Sequence, residues 1–275
     1  MIQHTENETT VKRGQSIATI IADSIWNGKR ITTLELVYPR YIHSELMTHR
    51  VFSRNASSSR ATPLKVMVSE VITDPVFFDY VGRNQSGMVA GEKLTGEELA
   101  CFKDDWELLG AQVAHRIERM SEKYGIHKQT LNRALEPWSR IRTLVTATDW
   151  DNFYKLRLAE DAQPEIRMLA RAMGMAMADG YPVESEFHLP YVSEYHPLQG
   201  DPTIEMVKCS VARCARVSYA RLDGKPVDIE ADLKLYDKLL ESKHLSPFEH
   251  VACAGEGRFA NFDGWESWRH YIEND

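Results

Sequence analysis

Cysteine is scarce in this chain. Only Cys101, Cys209, Cys214 and Cys253 occur among 275 residues, with no C-x-x-C pair, which argues against a disulfide framework or a cysteine zinc site and suits a reducing compartment. No apolar run approaches the ~18 residues that a bilayer span needs, and the start, MIQHTENETTVKRG, lacks the apolar segment of a signal peptide. A cytoplasmic protein without membrane contact or metal is expected. Positive charge is in deficit: 33 Lys and Arg against 40 Asp and Glu leave a net −7. That balance disfavours general nucleic-acid binding but leaves room for a local basic pocket. No dinucleotide glycine fingerprint, internal repeat or low-complexity tract occurs.

What is present is an ordinary globular composition, 43% apolar and 27% charged, long enough to bury a full core without staples. Residues 1–14 show no periodicity and read as a flexible leader ahead of a single domain over 15–275. SIATIIADSIW and KRITTLELVYP flank Asn27-Gly28, a dipeptide that favours positive φ, and predict an antiparallel hairpin. YIHSELMTHRVF predicts a short helix running into RNASSSRATP, whose composition breaks regular structure. Thr95-Gly-Glu-Glu98 has capping-box spacing. The stripe Leu99, Phe102, Trp106, Leu109, Val113, Ile117 and Met120 then predicts a long helix ended by Gly125. A short helix over 129–135 stops near Pro137, and another runs from about Trp150 to Ala178 with a break near Asp161. Residues 181–203, with four prolines, read as a surface connection. The last quarter opens with MVKCSVARCARVSYAR, continues through an amphipathic helix in DIEADLKLYDKLLESK, and ends in a short apolar stretch and an aromatic tail.

Three segments concentrate chemistry. His49 to Arg60 packs three arginines and four serines into twelve residues, groups that hold a phosphate through hydrogen bonds and permanent charge. A solvated Ser/Arg loop is the alternative. A single-stranded nucleic-acid contact is a third reading, with only Phe52 as a stacking platform. Asn152-Phe-Tyr-Lys-Leu-Arg157 places its two polar ends roughly 140° apart on a helix, so they address different ligands or form ordinary ion pairs of a solvent face. In Lys243 to His250, Ser246 followed by Pro247 resembles an N-cap with proline at the first helical position, presenting amides and His250 together; a capped structural helix is the plainer reading.

Together these segments resemble the flavin-dependent thymidylate synthases. The family's R-H-R-x7-S-x-R motif appears as Thr48-His49-Arg50 with Ser58-Ser59-Arg60. Its N-x4-L-R and A-Q-x-E-I stretches appear as Asn152, Leu156-Arg157 and Ala162 to Ile166, and its H-x-S-P-F-E-H stretch as His244 to His250. Ala215-Arg216-Val217-Ser218-Tyr219 is similar to a stretch that in the family precedes the others. Here it and the S-P-F-E-H stretch follow the R-H-R motif, so the order looks circularly permuted. Three positions depart from the pattern: Thr48 for arginine, Glu45 for glutamine and Ala56 for glutamate.

The resemblance implies an α+β fold, an antiparallel sheet flanked by a helical bundle, and reductive methylation of dUMP. Methylenetetrahydrofolate would be the carbon donor, with FAD, reduced by NADPH, as hydride source, in a homotetramer with shared sites. Ser58, Arg60, Arg133, Arg157 and Glu45 take substrate roles by this likeness; His49, Arg50, Asn152, Ser218 and His250 take flavin or folate roles. Arg157 is the expected stabiliser of charge on the pyrimidine. Ser58 is expected as a phosphate ligand, since its sequence neighbours supply no base to make it a nucleophile. Methylation or hydroxymethylation of another pyrimidine nucleotide is the same-fold alternative.

Overall fold

The computed structural model describes residues 9–192, 200–217 and 228–274. Its centre is a six-stranded sheet of β1 (Thr10–Arg13), β2 (Ser16–Trp26), β3 (Lys29–Pro39), β4 (Ser53–Ala56), β5 (Arg140–Ala147) and β6 (Val183–Glu184). The order is β1-β2-β3-β5-β4, antiparallel throughout, with β6 adding a short parallel pairing to β2. The expected hairpin is there, because Asn27 and Gly28 both adopt positive φ, 46° and 75°. A second sheet joins β7 (Phe187–His188), β8 (Ala252–Phe259) and β9 (Phe262–Ser267) in that order.

The helices are α1 (His43–Met47), α2 (Leu64–Thr73), α3 (Gly96–Tyr124), α4 (Lys128–Leu131), α5 (Asp151–Arg157), α6 (Pro164–Asp179), α7 (Ile204–Arg216), α8 (Ile229–Glu241) and α9 (Trp268–Asn274). One face of the large sheet, with Leu34, Leu36, Tyr38, Ile141 and Val145, packs on Ile166, Leu169, Ala170 and Met173 of α6. Each such side chain contributes about 1.5–3 kcal/mol by leaving water. On the other face Leu144 meets Cys214 and Val217 at the end of α7. A separate cluster seats α2 and α3 on the 3-10 segment Asn132–Trp138. Gln163 caps α6, its side chain accepting from the Ile166 amide, with Pro164 at the first turn.

Several local expectations are corrected. Thr10–Arg13 is a strand zipped to β2, so ordered chain begins before residue 15. The helix read through Phe52 stops at Met47, and Ser53–Ala56 pairs with β5, because a neighbouring strand outweighs the weak β preference of Ser, Asn and Ala. Thr95 precedes α3 without a side-chain cap bond, while Gly125 does end it at φ 63°. Leu109 is exposed, while Trp106, Val113, Ile117 and Met120 of the expected stripe do pack, joined by Gly110 and Ala114, where a Cβ on Gly110 would come 2.8 Å from the Trp138 indole. Residues 181–203 contribute β6 and β7, with Ser185, His188 and Leu189 buried. Ser246 lies inside the five-residue 3-10 turn Ser246–His250, whose N-cap is Leu245. KRITTLELVYP does not pair with residues 251–255: β8 pairs with β7 and β9, and β3 touches that sheet through β9, where Trp265 Nε1 donates to the Lys29 carbonyl.

Candidate functional site

The turn after α1 carries His49, and β4 fixes it from below: Arg54 Nη1 donates to the carbonyls of Met47 at 2.7 Å and His49 at 3.2 Å. Phe153 of α5 meets the His49 ring edge-on, 4.9 Å between centroids. One turn further along α5, Arg157 reaches back into the same turn. Its Nε donates to His49 Nε2 at 2.8 Å, Nη1 to Glu45 Oε2 at 3.3 Å, and Nη2 to the Glu45 carbonyl at 3.3 Å and Thr48 Oγ1 at 3.1 Å. Accepting at Nε2 places the imidazole proton on Nδ1 and keeps the ring neutral. Burial first, then the charges of Arg157 and Arg54, hold its pKa below the ordinary value. Burial raises the Glu45 carboxyl, Glu165 adds to that, and Arg157 opposes it. Thr48 and Glu45, two of the three positions that depart from the family pattern, are thus the two that orient Arg157.

At the other end of β4 the serine loop rests on the 3-10 segment that bears Arg133. Ser59 Oγ donates to Glu136 Oε1 at 2.6 Å, and Arg133 Nη1 pairs with the same oxygen at 2.9 Å. Asn132 Nδ2 clamps the carbonyls of Ser59 and Thr62. Ser58 Oγ accepts the Arg60 amide at 3.3 Å, and no carboxylate or imidazole contacts it among the described residues. Ser58 therefore has hydrogen-bonding capacity but no base. Arg60 is exposed, and its guanidinium has no partner among the described residues. Serine hydroxyls and guanidinium groups in this setting can hold an anion.

The C-terminal stretch comes to the same region. Asn261, between β8 and β9, donates to the Val51 carbonyl and Ser53 Oγ, both at 3.0 Å. Arg258 reaches Asp149, just before α5, at 2.7 Å. Asn55 of β4 donates to the Cys214 carbonyl on α7 at 2.8 Å. His250 itself is fully buried. It closes a chain of hydrogen bonds from Ser24 to His188, Thr33, Thr146 and His250 Nδ1, with steps of 2.9, 2.7, 2.6 and 2.8 Å. His250 Nε2 has no hydrogen-bond partner among the described residues. Burial drives both His188 and His250 down to about 3, with His250 adding to the effect on His188.

Of the sequence-selected residues, the structure gathers Glu45, His49 and Arg157 at one end of β4 and Ser58, Arg60 and Arg133 at the other. Arg50 and Asn152 are exposed with no partner among the described residues. Ser218 lies outside the described residues. Sequence reasoning counted Arg54 in the arginine-serine segment without a role of its own and missed Glu136 and the threonines of the buried chain; Glu136 was visible three residues from Arg133, whereas Thr33 and Thr146 carry no local signal. Among the described residues no group of three His, Cys, Asp or Glu side chains could hold a metal, and no helix is long and apolar enough to cross a membrane.

A sheet strand that carries a histidine–arginine turn at one end and a serine–arginine loop at the other defines an α+β protein able to receive an anionic ligand. The sequence profile of the thymidylate synthase complementing protein family, Thy1, matches residues 29–183. The chain belongs to that family, one of flavin-dependent methyltransferase enzymes. No curated protein matches it in sequence. Similar solved structures include the flavin-dependent thymidylate synthase ThyX of Helicobacter pylori complexed with FAD and dUMP, at 17% identity, TM-score 0.39, covering 54% of this chain and 67% of that one. Another is the UMP/dUMP methylase PolB of Streptomyces cacaoi bound with 5-Br UMP, at 15% identity, TM-score 0.45, covering 61% and 91%.

Proposed function

We propose that the chain methylates dUMP reductively to dTMP, with methylenetetrahydrofolate as carbon donor and FAD, reduced by NADPH, as the hydride source, in a cytoplasmic homotetramer with shared sites. The observation that carries this reading is the joining of two separate motifs of the family in one cluster, His49 from the first and Arg157 from the second, within the matched residues 29–183. Ser58, Arg60 and Arg133 take the nucleotide's phosphate. Arg157, with its plane held by Glu45 and Thr48, addresses the uracil edge and offsets the negative charge that develops as the ring carbon attacks. Glu45, whose carboxylate accepts from that guanidinium at 3.3 Å, shares the substrate contact.

On the flavin side, the exposed and unpartnered Arg50 and Asn152 and the orphaned buried Nε2 of His250 fit a large polar cofactor; His49 and Ser218 complete the proposed set. FAD, when bound, supplies hydride chemistry that no side chain offers. The protein's part is orientation and charge. The permuted motif order belongs to the same proposal, supported by the contacts of Asn261, Arg258 and Cys214 that bring the C-terminal stretch against β4 and α5.

Glu45 and Thr48 at Arg157 favour a second reading, methylation or hydroxymethylation of another pyrimidine nucleotide, since these residues border the proposed ring contact. Purified protein supplied with FAD, NADPH and methylenetetrahydrofolate should turn over dUMP to dTMP. Turnover of dCMP in place of dUMP establishes the second reading, and a protein that neither carries nor binds flavin defeats both.

A further inference from the structure

We propose that Arg142, a strand residue outside every motif above, is a further ligand for the phosphate of the nucleotide; this rests on the nucleotide reading of the serine loop. The ladder between β4 and β5 continues one rung beyond Ala56. The Ser57 amide donates to the Arg142 carbonyl at 2.8 Å, and Ser57 Oγ accepts the Arg142 amide at 3.1 Å. Arg142 is thereby fixed beside the first residue of the Ser57–Arg60 loop, on the sheet rather than on a loop of its own.

The other cations around this loop are already engaged. Lys128 Nζ donates to the Ala61 carbonyl at 2.8 Å, Arg133 pairs with Glu136 at 2.9 Å, and Arg140 pairs with Asp74 at 2.8 Å. Arg54 is turned to the carbonyls of Met47 and His49. Arg142 differs. Its side chain is 49% exposed, and its one partner among the described residues is Glu35 Oε1 at 3.5 Å, an ion pair without a hydrogen bond. Glu35 has a closer partner, the Tyr191 hydroxyl, which donates to Oε2 at 2.7 Å. The guanidinium fork of Arg142 therefore keeps its donors.

A phosphate monoester carries about −1.5 to −2 charges near neutrality. Arg133 shares its charge with Glu136, so Arg60 and Arg133 together do not balance it, and Arg142 is the second guanidinium at this loop that makes no hydrogen bond among the described residues. A planar fork on a rigid strand suits two-point contact with phosphate oxygens better than a lysine would.

The test is equilibrium titration of the full chain, FAD added, with dUMP, 2′-deoxyuridine and inorganic phosphate. Arg142→Gln is expected to weaken dUMP and phosphate about tenfold or more while leaving deoxyuridine unchanged, and Arg142→Lys to restore part of the loss. Because Arg142→Gln also strips Glu35 of its cation, the double variant Glu35→Gln with Arg142→Gln is titrated beside it. A phosphate ligand leaves the double variant as weak as the single one. Return of the double variant to wild-type affinity overturns the proposal, because the role of Arg142 is then to neutralise Glu35. Unchanged dUMP affinity in Arg142→Gln with a loss in Arg60→Ala also overturns it, and leaves the nucleotide reading standing. A wild-type chain that binds no dUMP removes both.

Discussion

Arg157 Nε donates to His49 Nε2 at 2.8 Å across 108 residues of sequence, so the imidazole acts there as an acceptor and is neutral. Protonating His49 would cost this bond and set two cations against each other. We expect the His49 pKa, followed by NMR of the ring protons, to lie below 6.5 in the wild type and to rise in Arg157→Ala. An unchanged value in the variant would show that burial and Arg54 set it without Arg157.

His188 and His250 are both depressed to about 3 by burial, against 6.5 when unfolded. The unfolded chain binds more protons between those values, so the stability these groups contribute is fully present above about pH 6.5. It is lost as pH falls, at roughly a kcal/mol per pH unit for each ring. Urea midpoints measured from pH 8 to 4 should fall below pH 6.5, and His250→Gln should flatten that slope. An equal slope in wild type and variant would contradict it.

Asp79 carries the opposite sign. Burial and the neighbouring Glu165 raise it to about 6, and its Oδ2 has no hydrogen-bond partner among the described residues. The approach of Gly14 is so close that a Cβ there would lie 2.2 Å from the Asp79 carboxyl. A carboxyl raised above its unfolded value of 3.8 adds stability below that pH, and the contribution is lost as pH rises to about 6. Asp79→Asn should therefore raise the melting temperature at pH 8 and change it little at pH 4. Equal effects at both pH values would rule out a buried charge as the cause.

Arg60→Ala should weaken dUMP binding by about 1.5–3 kcal/mol, roughly ten- to a hundredfold, and Ser58→Ala by less, since Ser58 is one donor among several. Calorimetric titration decides it. Loss of turnover in Ser58→Ala at full dUMP affinity would assign Ser58 a nucleophilic role despite the missing base.

The hairpin at Asn27-Gly28 and the end of α3 at Gly125 were legible because each depends on backbone preferences of a few adjacent residues. The His49–Arg50, Asn152–Arg157 and Ser58–Arg60 stretches were legible as chemistry, since their residue types are costly to keep together without a ligand or an ion pair. β5 was not read at all: Arg140–Ala147 is buried along most of its length, and such a strand lacks the polar alternation that marks a half-exposed one. β4 was read as loop because its Ser, Asn and Ala become a strand only when β5 offers a ladder.

By itself, then, the sequence determined the local turns and caps and the kinds of groups available for binding. Tertiary structure decided which of them meet. Glu45 and Thr48 could be seen to depart from a pattern, but only the packing of α5 against the turn after α1 makes them the holders of Arg157. The two buried histidines are 62 residues apart and joined through Thr33 and Thr146, because a buried imidazole takes whatever partner the facing sheet presents, and pairings between sheets leave no periodicity in the chain.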